Sequence, residues 1–493
     1  MAYGGKRPLL MAYGGKRRHK GFAVRLFELL NSSFPHSAHK LVNAALDGTP
    51  AQVMLPCLFT HLPKAVQLVI IEFGSLALHL DHPSVEAVVR RLLSLRPAPA
   101  IVFLTVRGLC KRTPRRTNAT IRYTLNSHWE LYTPSERTAW SDADAAFDRV
   151  CERYSLGCVS MYPAVIGPML ARAPGFSLED VSLDCLHPFN GRLGTEMLTD
   201  LLVHWLRRSL AAMPPPGHPS AGQQREEQAL PPPLFPQGRR SGDPASESAT
   251  CYSFADQGRV GSPLSQAMRN VAWRTTLCAH GCADHATCHC ADLAAVSIGC
   301  PFEPPRKPRH RAGHGPTWQV ERRAWGYCHH AQTAAAAHRG WRGAAGAPPK
   351  ISPGVAAVEP GALLEAVVDT RVVYGAARAD SAARVLAGLE LLVSYERMGT
   401  VRVSCGGECA CEPHTVDAHR TSTVRNETVF TRHTFEIVGA RERCEVSLLL
   451  LDASSSGGHK FKVRSLALLP AQAGSAVRTP QTQPCHGSPS ECV

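Results

Sequence analysis

Two side chains three positions apart carry the most specific chemistry in this chain: Asp184 and His187, within VSLDCLHPFNGRLGTEMLTDLLVHWL over 181–206. A histidine that takes a proton from a hydroxyl must be held in one tautomer, and a carboxylate on the same loop does this by accepting from Nδ1. Pro188 follows, and then a helix predicted to begin near Thr195, with Leu198, Leu201, Leu202, Trp205 and Leu206 on one stripe. On its own, Asp-x-x-His is more often a turn carboxylate beside a surface histidine. Its weight therefore depends on the elements around it.

Those elements alternate. Phe22–Pro35 reads as an amphipathic helix with Phe22, Leu26, Leu29 and Leu30 on its inner side. His39–Leu46 is a short strand candidate that runs into the turn Asp47-Gly48-Thr49-Pro50. The apolar runs Ala65–Phe73 and Ala100–Val106 have the length and continuity of strands buried on both faces of a parallel sheet, and Gly157–Tyr162 is a third, shorter one. Between them, Asp81 or Ser84 caps a helix striped with Val85, Val88, Val89, Leu92 and Leu93. Ser141 with Asp144 is close to a capping box for a helix through Val150 and Tyr154. Strand–helix alternation of this kind predicts one α/β layered domain. Sites in such sheets form at the carboxyl ends of the strands, where the loops after Leu46, Phe73 and Leu183 would converge.

The order Asn43-Ala-Ala-Leu-Asp-Gly48, Leu68-Val-Ile-Ile-Glu72-Phe-Gly74 and Asp184-Cys-Leu-His187-Pro resembles the SGNH (GDSL-type) hydrolase superfamily over about 22–210. More narrowly it resembles the form in algal proteins that adds a β-rich C-terminal region. The resemblance implies a flavodoxin-like, three-layer α/β/α fold and hydrolysis of esters such as lipids or O-acylated glycans. It implies His187 as base, Asp184 as its orienting acid and the backbone N–H of Gly48 as an oxyanion donor. It implies no cofactor and no catalytic metal.

The chain departs from the family in two of four motif groups. Leu76 stands where the oxyanion asparagine is expected after Glu72-Phe-Gly74-Ser75, and residues 1–25 contain no serine for the nucleophile's turn. Ser75, after the apolar run that ends at Phe73, is a weak stand-in that matches no position the family uses. A triad without its nucleophile retains only about 10³–10⁴-fold of acceleration from binding and oxyanion groups. This sequence is therefore expected to be nearly inactive. A missing first strand would leave a sheet edge uncovered, which favours a chain cut short at its N-terminus over an evolved pseudoenzyme. The alternative is a non-catalytic glycan-binding or structural protein that retains the fold.

Composition bounds the partners. The formal charge of +14 over 493 residues invites an acidic partner. The basic residues, however, fall in short clusters (Arg107, Lys111, Arg112, Arg115, Arg116; Arg306, Lys307, Arg309, Arg311) without interleaved aromatics. They read as solvated loops, and no nucleic acid is expected. No apolar run is long enough for a transmembrane helix. Eighteen cysteines and sequons at Asn31, Asn118 and Asn426 point to a secretory or extracellular setting, whereas residues 1–21 lack a signal-peptide core, so the compartment stays open.

Domain expectations follow. Residues 1–21 are a non-family segment, 22–210 the hydrolase-like domain, and 211–360 a Pro/Gly-rich linker with a Cys/His-rich insert. In that insert Cys278, Cys282, Cys288, Cys290 and Cys300 interleave with His280, His285 and His289. The spacing matches no zinc-finger pattern, and disulfides or an unstructured insert are favoured over a metal site. Residues 303–355 are expected to be mostly unstructured. From 361 to 470, five apolar runs separated by turns predict an antiparallel β-sandwich, with Cys405, Cys409, Cys411 and Cys444 at strand ends, and 471–493 is a tail. Such a sandwich either binds a carbohydrate or is a structural appendage.

Overall fold

The computed structural model describes residues 21–36, 39–42, 44–46, 48–74, 82–112, 115–117, 120–122, 129–131, 134–182, 187–188, 192–212, 230–235, 249–253, 275–278, 290–294, 296–297, 325–330, 351–374, 383–420 and 428–471. The N-terminal unit runs α1 (Phe22–Ser33), α2 (Ala51–Met54), a 3₁₀ turn (Leu55–Cys57), α3 (Leu58–His61), β1 (Leu68–Ile71), α4 (His82–Leu93) and β2 (Ala100–Thr105). Two short hairpins follow, β3 (Cys110–Arg112) with β6 (Trp129–Leu131) around β4 (Arg115–Thr117) with β5 (Thr120–Arg122). Then come α5 (Pro134–Arg153), β7 (Gly157–Ser160), α6 (Met161–Leu170), α7 (Leu178–Val181) and α8 (Gly194–Ala211).

β1, β2 and β7 form a parallel sheet in that order. A parallel sheet must be covered on both faces. One face packs under α4, α5 and the helical stretch 51–61, through Val69, Ile71, Phe103, Val88, Leu92 and Phe147. The other packs under α1 and α8, through Leu26, Val102, Leu104, Val159, Leu198 and Leu202. The predicted stripe of α4 is buried throughout: Val85, Val88, Val89, Leu92 and Leu93.

Several sequence expectations change here. His39–Leu46 forms no strand among its described residues, where Val42 and Ala44 pack against the core without joining a ladder. A strand needs a partner for its backbone groups, and among the described residues β1 is paired to β2 alone. Ser141 does not open a helix, because α5 has already started at Pro134, a residue suited to a first helical turn. Leu29 lies on the outside of α1, 46% exposed. Met161 and Tyr162 leave the third strand and start α6.

The sandwich comprises β8 (Thr250–Ser253), β9 (Thr275–Cys278), β10 (Cys290–Ala294), β11 (Val296–Ser297), β12 (Trp325–His330), β13 (Ile351–Ala357), β14 (Leu363–Val368), β15 (Arg384–Ser394), β16 (Thr400–Gly407), β17 (His414–Asp417), β18 (Thr428–Val438), β19 (Cys444–Leu450) and β20 (Phe461–Pro470). One sheet has the order β17-β16-β19-β14-β10-β9; the other runs β11-β12-β13-β20-β15-β18, with β8 also on β20. They share a core containing Trp325, Val385, Leu389, Val401, Leu448 and Phe461. The five predicted runs are all present. The sheets also take in six strands between Thr250 and Ala357, from the stretch read in sequence as linker and insert. Disulfides Cys405–Cys411 and Cys409–Cys444 fasten strand ends. Of the Cys/His-rich cluster, Cys278 and Cys290 stand opposite each other on β9 and β10, while Cys282, Cys288 and Cys300 fall outside the described residues.

The two units are joined tightly. Val53 belongs to the sandwich core, and Cys57 is bonded to Cys251 on β8 beside Ala467 and Leu469. Part of the linker docks as well. Glu86, buried in α4, accepts hydrogen bonds from the backbone N–H groups of Leu234 (2.5 Å) and Phe235 (2.9 Å) and from the Tyr154 hydroxyl (2.5 Å). Arg90 donates to the Pro231 carbonyl at 2.5 Å, and the Phe235 ring stacks on His82. Leu230–Phe235 is thereby strapped across α4 and α5, because a buried carboxylate there needs donors.

Candidate functional site

His187 lies in the turn between α7 and α8, half-buried. Both ends of that turn are tied to one short helix. At its start, the Ser177 hydroxyl accepts from the Asp180 N–H at 3.3 Å while the Asp180 carboxylate accepts from the Ser177 N–H at 3.0 Å, a capping box. At its end, the Arg192 guanidinium pairs with Asp180, and the Leu193 N–H donates to the Asp180 carbonyl at 2.7 Å. The hydrogen bonds from Ser177, with Arg192 beside them, hold the Asp180 carboxyl below its usual range. Gly194 then lets α8 begin in contact with the turn: a Cβ there would sit 1.7 Å from the Pro188 carbonyl oxygen and 2.4 Å from that of Val181.

The run of α8 places this turn. Trp205, late in the helix, packs against Gly157 at the start of β7, where a Cβ would meet its ring at 2.2 Å. Leu198 and Leu202 pack on Val159, Leu104 and Val106. The helix is therefore antiparallel to the strands, and the His187 turn lies toward their carboxyl ends, the edge at which α/β sheets form sites.

Gly48 lies in the turn that precedes α2, against β18 of the sandwich. Gly48 has φ +58°, and a Cβ on it would lie 3.1 Å from the Thr428 carbonyl oxygen of the sandwich. Its own carbonyl accepts from the Phe430 N–H at 2.8 Å. Asp184 and Ser75 lie outside the described residues.

The carboxyl edge also holds a buried polar group. Gly74 after β1 presses on Val106 after β2, where a Cβ would be 2.5 Å from the Val106 carbonyl oxygen. The next residue, Arg107, is 2% exposed. Its guanidinium lies 3.2 Å from the centre of the Tyr162 ring, and Nη1 pairs with Asp144 Oδ2 at 2.9 Å. Burial lifts the Asp144 carboxyl to about 6 against the pull of Arg107, and Asp148 adds to the rise. Among the described residues, Arg107 Nε, Asp144 Oδ1 and Ser160 Oγ are buried without a hydrogen-bond partner. This overturns the reading of Arg107 as part of a solvated loop. The signal was its position directly after the buried run Ile101–Val106.

The candidate site thus has the His187 turn and, between α5 and α6, the desolvated guanidinium of Arg107 toward the carboxyl edge of the sheet, while the Gly48 turn is held against the sandwich. Among the described residues no group of three or more metal-binding side chains forms, and no helix is long and apolar enough to cross a membrane.

No protein-family model matches the chain, and no curated protein matches it. Among solved structures it is similar to a two-domain esterase (CEX) active on acetylated mannans, at 14% identity over 90% of this chain and 84% of that one, with a TM-score of 0.41. It is also similar to that esterase co-crystallised with mannopentaose, at 14% identity over 93% and 88% of the two chains, TM-score 0.44. The CBM36-1 domain of a multidomain xylanase from the hindgut metagenome of Trinervitermes trinervoides is similar at 11% identity over 24% of this chain and 81% of that one, TM-score 0.17. At these values the similarities fix neither a family nor an activity for this chain.

Proposed function

We propose that this chain is built as an ester hydrolase of the SGNH type, with a flavodoxin-like N-terminal unit, for an O-acylated glycan or a lipid ester, and that it is nearly inactive as written because the nucleophilic serine is missing. His187 is the base, Asp184 holds its ring through Nδ1, and the N–H of Gly48 steadies the oxyanion. In that chemistry the base takes the proton of a serine hydroxyl as it attacks the ester carbonyl, and returns it to the leaving alcohol; water then releases the acid. The observation that carries the reading is the anchoring of the His187 turn at the carboxyl edge, through Asp180, Arg192 and Gly194.

The second reading, a non-catalytic glycan-binding or structural protein of the same fold, draws on Leu76 and on the absence of serine from residues 1–25. Turnover of p-nitrophenyl acetate separates the two. Hydrolysis by the chain that falls to background in His187→Ala supports the hydrolase. Equal rates in both proteins, with calorimetric binding of an O-acetylated glycan, select the second reading.

A further inference from the structure

The outer face of the sheet containing β15, β18 and β20 carries charge where a sandwich surface would ordinarily be wet. Glu390 on β15 stands opposite Arg432 on β18 and Ser465 on β20. The register then slips, so that Leu391 faces Val463 and Arg464 is the extra residue of a β-bulge. A bulge re-aims its side chain. Here it turns Arg464 out of the ladder toward the N-terminal unit, where it is 0% exposed.

The contacts of this group lead to the Gly48 turn and to the segment that follows it. Arg464 Nη1 donates to the Thr49 hydroxyl and, at 3.1 Å, to Glu390 Oε1. Its guanidinium lies 3.3 Å from the centre of the Phe430 ring, on the residue whose N–H holds the Gly48 carbonyl. Glu390 Oε2 accepts from the Ser465 hydroxyl at 2.6 Å. Arg432 Nη2 donates to the Val53 carbonyl at 2.6 Å, and burial brings its guanidinium down to about 10 while Glu390 opposes the shift.

We infer that the β-sandwich positions the Gly48 turn, with Arg464 as the positioning residue acting through Thr49 and Phe430. This deepens the hydrolase reading and rests on it for the purpose of the turn: a backbone N–H acts as an oxyanion donor only when its peptide is fixed before the charge develops. A buried ion pair is weak evidence for stability, because desolvation offsets its attraction. Its place here, on a turn with φ +58°, is what gives it a specific role.

Amide hydrogen exchange on the full chain tests this without relying on turnover. In Arg464→Met, peptides covering 44–53 should exchange at least tenfold faster, while those from α4 and from β14 and β19 keep their rates. Thr49→Val, which leaves Arg464 on Glu390, should show the same local change to a smaller degree and serves if Arg464→Met does not fold. Unchanged exchange at 44–53 in both variants overturns the inference. So does acceleration spread evenly over the chain, which would make Arg464 a general stabiliser. Loss of the ester-hydrolase reading would show only in the His187-dependent turnover, so the two failures are distinct.

Discussion

The Nε2 atoms of His414 and His433 face each other at 2.8 Å, one on the edge strand of each sheet of the sandwich. His414 Nδ1–H donates to the Glu412 carbonyl at 2.8 Å, which leaves its Nε2 to accept from His433. Burial, and then the neighbouring His414, push the His433 imidazole down to about 4. The residues opposite, Val403 on β16 and Leu389 on β15, are apolar. An unfolded histidine takes its proton near 6.5. The folded state refuses it, so this pair's contribution is complete above pH ~6.5 and declines as pH falls toward 4. Melting temperatures from pH 4 to 8 for the native chain and His433→Phe should therefore converge at the acid end. Curves that stay parallel would refute the bridge.

Asp144 runs in the opposite direction. Its folded-state carboxyl titrates near 6 rather than 3.8. The unfolded chain therefore gives up this proton first, and folding loses stability as pH rises between those values. The difference in melting temperature between the native chain and Asp144→Asn should change across pH 4–6 and be flat above pH 7. A difference independent of pH would show the carboxyl to be solvated.

Gly194→Ala should disturb His187. The added methyl meets the Pro188 and Val181 carbonyl oxygens inside contact distance, so either the turn or the helix start must move. Such overpacking costs about 1–3 kcal/mol. Gly167→Ala is the control, since no atom lies within 4 Å of the Cβ it would add. The expected outcome is a lower urea midpoint and a shifted His187 ring resonance in the first variant, with neither in the second.

Glu86→Gln should loosen the strap. The carboxylate gathers two backbone N–H groups and a tyrosine hydroxyl in a buried place, and an amide can accept on one atom only. A loss of roughly 1–3 kcal/mol is expected, with faster tryptic cleavage around 230–249. Unchanged cleavage would mean that Arg90 and Phe235 hold the segment without it.

What could be read from sequence followed from periodicity. The strands at 68–71 and 100–105, the α4 stripe and the later sandwich strands each show their burial within a few residues. The cysteines at 405–411 and 444 could be placed at strand ends for the same reason. Arg107 could not be read this way: its burial depends on Asp144 and Tyr162, supplied by two later helices. The strands at 325–330 and 351–357 are short pieces of Gly- and His-containing sequence whose pairing comes from long-range ladders, with β13 on β20. In the candidate site, the motif positions of His187 and Gly48 were legible. The hold on the two turns was not, because Phe430 comes from a distant strand and the pairing of Arg192 with Asp180 depends on how the chain folds back between α7 and α8.

The strap at Leu230–Phe235 shortens the leash between the two units. The covalent path toward β8 therefore leaves the N-terminal unit at Phe235 rather than at 213 and meets the sandwich at Ala249. The bond between Cys57 and Cys251 ties the same two units a second time. The two units therefore move as one body, tied through the strap on one side and the sulfur bridge on the other.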